Sequence, residues 1–199
     1  MNSRLDSRRG ACRGFRLAER LTGWAVLLVV FLLGGCGSGL PKGIQPVADF
    51  DADRYLGTWY EIARLDHFFQ RGMQEVSATY SKRDDGTLHV INRGWLVNKE
   101  KWNIARASAK FAGASDEGWL EVSFFGPFHG DYIVFELADD YSEAWVSGSD
   151  TGYLWYLSRT PVVPAERLKA FRERVGALGY DSDELIVVDQ DVAALPPPE

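Results

Sequence analysis

Cysteine is nearly absent from this 199-residue chain: Cys12 and Cys36 are the only two. Both fall near an N-terminus that looks processed, so no disulfide is expected in the mature protein, although exported proteins permit them. The fold must be held by its own core. Histidine is scarce too. His67, His89 and His129 are scattered, and no His-X-X-X-His or paired cysteine suggests a metal site. There is no Gly-X-Ser-X-Gly nucleophile elbow and no phosphate-cradling glycine loop leading into a helix. Asp84-Asp85 and Asp139-Asp140 fit turns better than an acid–base pair. An enzyme is therefore not expected, and no residue asks for a cofactor. Long apolar runs are also missing. The longest, Trp24 to Leu33, falls short of the roughly 20 residues that span a bilayer.

What stands at the N-terminus is an export signal. Six arginines and two acids occupy residues 1–20, followed by the short apolar run. A basic segment and a short apolar one together read as a secretory signal. It ends in Leu33-Gly34-Gly35-Cys36, which resembles the bacterial lipobox. In that family the cysteine becomes the first mature residue and carries acyl chains, each worth roughly 0.8 kcal/mol per buried methylene. Gly37 stands where an Asp commonly retains such lipoproteins at the inner membrane. The resemblance thus implies a lipid anchor at Cys36 on the periplasmic face of the outer membrane. Loss of residues 1–35 removes six of 22 basic and two of 28 acidic side chains, leaving a formal charge of −10. Such a surface does not attract nucleic acid, whose binding needs cations to neutralise phosphates.

Residues 36–49 then read as the lipidated cysteine and a flexible tether, with glycines, prolines and few apolar side chains through Val47. A folded domain is expected over residues 50–190, and the proline-rich residues 191–199 as a disordered tail. No solenoid repeat is evident. Eight runs rich in Val, Ile, Tyr, Trp, Phe and Thr follow one another: Thr58–Leu65, Glu75–Ser81, Leu88–Val97, Trp102–Phe111, Trp119–Phe125, Tyr132–Leu137, Glu143–Gly148 and Tyr153–Ser158. Short Gly-, Asp- and Asn-rich breaks separate them. This predicts an all-β fold, an eight-stranded antiparallel up-and-down β-barrel, wide enough to hold one small ligand. A sandwich has a similar rhythm. After Pro161 the period changes. Leu168, Phe171, Val175 and Leu178 recur at helical spacing. This predicts a C-terminal α-helix packed outside the barrel and ended at Gly179. Leu185 to Val188 predicts a short ninth strand.

Three short strings carry a family likeness. Gly57-Thr58-Trp59-Tyr60, Asp140-Tyr141 and Ser158-Arg159 occur in the order and at the distances of the lipocalin motifs. Tyr55 to Arg64, Val122 to Phe128 and Tyr153 to Pro161 extend the resemblance to bacterial outer-membrane lipocalins. One departure is Asp139, where the middle motif usually begins with Thr. The likeness implies transport or storage of a lipid, a fatty acid or a lysophospholipid, and leaves room for a homodimer meeting at open barrel ends. It also implies that Gly57, Trp59, Tyr60, Asp140, Tyr141 and Arg159 are structural, with Arg159 lying across the Trp59 indole.

Strand alternation extends this to ligand contacts. An inward Arg159 brings Leu157, Trp155 and Tyr153 to the same face, with Trp155, higher toward the mouth, as the leading contact candidate. An inward Trp59 places Glu61 and Ala63 inside as well, where a carboxylate needs a partner or a raised pKa. Phe128 and His129 are expected in an aromatic connection at the mouth, and Phe68 and Phe69 in a large loop over it. A filled barrel that binds protein partners through its loops is the competing expectation, and a haem or pigment carrier a third.

Overall fold

The computed structural model describes residues 39–192 and 195–196. The signal sequence and Cys36 lie outside them. A four-residue helix α1 (Ala52–Tyr55) leads into the sheet, capped by Asp51, whose carboxylate accepts from the Asp53 and Arg54 backbone N–H groups. Eight strands follow: β1 (Gly57–Arg64), β2 (Met73–Lys82), β3 (Leu88–Leu96), β4 (Lys101–Phe111), β5 (Trp119–Phe125), β6 (Phe128–Leu137), β7 (Glu143–Ser147) and β8 (Leu154–Ser158). Each pairs antiparallel with the next, and β1 pairs with both β2 and β8. The sheet therefore closes on itself, which removes its edges. The helix α2 (Ala165–Ala177) and the short strand β9 (Ile186–Val187), paired with β1, complete the chain.

Alternation sorts the side chains into two cores. Trp59, Tyr80, Leu88, Val90, Ala107, Leu120, Val134, Val146 and Leu157 cluster inside the barrel. Their strand neighbours Ile133, Phe135, Trp145 and Tyr156 face out and pack against Phe171 and Val175 of α2. Both helix residues are fully buried, each contributing about 1.5 to 3 kcal/mol. Gly179, at φ +92°, ends the helix in a conformation that other residues resist.

Three features differ from the sequence-based expectation. β6 begins at Phe128, so Phe128 and His129 are strand residues and the aromatic connection shrinks to a tight turn. The expected tether is docked well before Phe50. Ile44 is fully buried in the outer core, and Val47 donates to the Val134 carbonyl and accepts from Gly118 N–H. Part of the expected tail is also bound, the Val192 N–H donating to the Glu75 carboxylate at 2.8 Å. β1 and β2 part above Tyr60 and Ser77, and Gln190 fills the fork by donating to the Glu61 and Val76 carbonyls. The strands, both cores and α2 all lie within residues 40–192, so the barrel is complete without residues 1–38.

Candidate ligand-binding site

The floor of the barrel is a clamp. The Arg159 guanidinium lies 3.9 Å from the Trp59 ring centroid. It donates to the carbonyls of Arg54, Thr58 and Tyr141 at 2.9, 2.9 and 3.3 Å, joining α1, β1 and the turn before β7. Gly57 has φ +94°, and a Cβ there would stand 3.3 Å from Arg159 Nη1, so glycine serves both backbone and clearance. Tyr141 accepts from the Asp51 N–H, and the Asp140 carboxylate accepts from the Ser142 N–H. Tyr60 points the other way and packs against the outer core.

Above this floor lies a buried polar patch that hangs on a kink. The register of β1 against β8 shifts between Glu61 and Ala63, a β-bulge that puts two consecutive residues on one face. Ile62 and Ala63 both join the outer core. Ala63 is therefore not an interior residue, because the bulge reverses the alternation that placed it there. Arg64 turns inward instead. It is 1% exposed and donates through Nη1 to Glu61 at 2.8 Å and through Nη2 to the Gln70 and Met73 carbonyls. Gln70, on the loop between β1 and β2, donates to the other Glu61 oxygen at 2.7 Å. Its own oxygen accepts from Trp155 Nε1 at 2.9 Å and meets His67 Nε2 at 2.7 Å. That geometry puts the His67 proton on Nε2. Burial pushes the Glu61 carboxyl above its ordinary pKa, opposed by Arg64 and the bond from Gln70. Burial also lowers the pKa of His67, so it sits neutral. Arg64 Nε and His67 Nδ1 are buried without partners among the described residues. Sequence reading had missed Arg64, His67 and Gln70. The signal for Arg64 was its position three residues after Glu61, hidden by the bulge.

The other expected residues gather around this patch or leave it. Trp155 is half-buried, with Tyr153 stacked against it at 6.2 Å. Phe69 is stacked on Tyr153 in turn. Leu157 lies deeper, in the inner core. Phe68, Phe125 and Phe128 are 78, 81 and 77% exposed. Phe68 sits on the β1–β2 connection, and Phe125 and Phe128 at the strand ends flanking the β5–β6 turn. An up-and-down barrel places both connections at one end, so the three form part of an aromatic rim. His129 sits beside the Glu121 carboxylate, 3.8 Å away. It is three residues before Tyr132, an odd offset from the inward Tyr132 and Val134, so it stands on the outer wall and not in the mouth.

A lipocalin-like domain model matches residues 50–190. The chain is 49% identical over 166 residues to the outer membrane lipoprotein Blc of Vibrio cholerae, covering 83% of this chain and 96% of that one. The chain belongs to the lipocalin family. The Blc protein of Escherichia coli K12 is 46% identical over 83% of this chain and 94% of its own length. Mouse apolipoprotein D is 30% identical over 80% and 85%. Among solved structures, insecticyanin from the tobacco hornworm superposes with a TM-score of 0.60 at 23% identity, covering 76% of this chain and 87% of that one. At that identity the likeness speaks for the lipocalin fold alone.

Proposed function

We propose that this lipocalin is a non-catalytic carrier, lipidated at Cys36 and held on the periplasmic face of the outer membrane. It stores or moves a fatty acid or a lysophospholipid in the cell envelope. The observation that carries this reading is the buried Glu61–Arg64–Gln70–His67 patch set against Trp155 within a largely apolar barrel. An apolar lumen with a few convergent polar groups is what a single-chain lipid needs. Arg64 Nε and His67 Nδ1, lacking protein partners, are groups a headgroup could engage after a small shift. Trp155, Tyr153 and Phe69 would flank the headgroup, and Leu157 the upper chain. Glu61 holds Arg64 in place. Phe68 and Phe128 would line the entrance, and a homodimer meeting rim to rim would cover them. The Leu33-Gly34-Gly35-Cys36 string and relatives named as outer membrane lipoproteins support the anchor and the membrane.

Fluorescence titration tests this. Lysophosphatidylethanolamine added to the delipidated chain from residue 37 should saturate a tryptophan signal at one equivalent, and Trp155→Phe should weaken binding at least tenfold. A rise without saturation would count against a carrier and favour the scaffold barrel.

A further inference from the structure

Three tyrosine hydroxyls meet low in the barrel. Tyr132 Oη lies 2.7 Å from Tyr55 Oη and 2.9 Å from Tyr80 Oη. Each hydroxyl carries one hydrogen, so three hydrogens share two oxygen–oxygen contacts. Tyr80 donates to Tyr132. The hydrogens of Tyr132 and Tyr55 then compete for the one contact left, and either way one O–H has no acceptor among the described residues. Buried donors are rarely left so. Burial raises the Tyr80 pKa to about 12 and holds those of Tyr55 and Tyr132 well above their ordinary value, so all three remain donors.

The surroundings point the spare hydrogen at the lumen. Tyr55 and Tyr80 are closed off, at 0 and 4% exposure, whereas Tyr132 is only half-buried. Two residues along the same face of β6, a Cβ at Gly130 would meet nothing within 4 Å. The space beside the strand is open at that position, toward the mouth from Tyr132. On β3, Asn92 pairs in register with Ala78 and Ala105, two small neighbours. Its Oδ1 is buried without a partner among the described residues. Tyr80 pairs with Val90, which makes Asn92 its diagonal neighbour, about 7 to 8 Å away between backbones. The lumen thus holds, among the described residues, one unused donor and one unused acceptor.

We propose that Tyr132, backed by Tyr55 and Tyr80 and faced by Asn92, forms a second polar station that takes a neutral oxygen group on the distal part of the bound acyl chain. A hydroxyl suits it best, since it both accepts and donates. A carboxylate suits it poorly, because desolvating the charge needs a cation and the nearby Arg159 is already engaged by three carbonyls. The inference rests on the carrier reading and adds a preference for hydroxylated over plain chains.

Calorimetric titration of the delipidated chain from residue 37 with palmitate, ω-hydroxypalmitate and methyl palmitate tests it. The wild type should bind ω-hydroxypalmitate about tenfold more tightly than palmitate. A Tyr55→Phe/Tyr80→Phe/Tyr132→Phe variant removes all three hydroxyls, so no tyrosine O–H is left unpaired. It should bind palmitate as before and lose the preference, and a Tyr132→Phe variant should lose it too. Equal binding of both chains by the wild type would mean that water serves the station, and would overturn the inference while the carrier stands. A preference that survives in the triple variant would also overturn it. So would palmitate, but not methyl palmitate, losing affinity there, since the carboxylate would then be the deep group. Failure of every chain to bind would sink the carrier and the station together.

Discussion

Arg159 stacks on Trp59 at 3.9 Å while its three N–H groups reach carbonyls on three separate segments. One side chain near the end of the sheet thus locks its beginning. Its loss removes a cation–π contact, worth about 0.5 to 2 kcal/mol, and strands three carbonyls. Arg159→Ala should lower unfolding stability by about 2 to 4 kcal/mol. Arg159→Lys, a point charge without the planar fork, should recover less than half. Urea unfolding followed by tryptophan fluorescence measures both. A loss below 0.5 kcal/mol for the alanine variant, about the scale of an ordinary surface change, would contradict the clamp.

Gly57→Ala should be destabilising by about 1 to 3 kcal/mol, because φ +94° is strained for alanine and the new Cβ crowds Arg159 Nη1. Combining it with Arg159→Ala should relieve the crowding part only. A double-mutant cycle by urea unfolding separates the two causes.

The Glu61–Arg64 pair is buried on both sides, at 3 and 1% exposure. Arg64→Met leaves a carboxylate without its cation, and should cost about 3 to 5 kcal/mol. Glu61→Leu/Arg64→Met together should recover most of that, because both charges go. Chemical denaturation of the three proteins decides. A double variant no better than Arg64→Met alone would show that the pair stabilises in its own right.

His67 gives a pH dependence of definite sign. Its folded pKa lies below the unfolded value of about 6.5. The unfolded chain therefore binds a proton first as pH falls. Stability should be full above about pH 7 and fall through pH 6.5 toward the lowered folded pKa. In His67→Gln this part of the slope should vanish. Urea midpoints at pH 7.5, 6.5 and 5.5 for both proteins check it. Parallel midpoint curves would contradict the assignment to His67.

The strands were legible because β1 to β8 alternate and their turns carry Gly and Asp, and Phe171 and Val175 marked the helix face through their spacing. Trp59 and Arg159 were legible as a pair because short motifs fix them at the two ends of the sheet. The interior patch was less so. Alternation put Ala63 inside, but a one-residue bulge sends it out and brings Arg64 in, and no local pattern announces a bulge. Gln70 lies on a loop, where no periodicity applies, and reaches Glu61 only through folding. His129 seemed to belong to a loop because Gly126-Pro127 looked like a wide break, yet the turn is tight and the strand resumes at Phe128. Ile44 read as linker and Val192 as tail because neither stretch carries periodic apolar positions, and one docked residue leaves no repeating signal.

Native mass spectrometry on the chain from residue 37, delipidated and offered fatty acids, lysophospholipids, diacyl phospholipids and haem together, tests the central claim most directly. The carrier reading predicts one adduct per barrel, a fatty acid or a lysophospholipid, that disappears in Trp155→Ala while the charge-state distribution stays that of a folded protein. A folded wild-type protein that leaves the mixture with no lipid bound would contradict it.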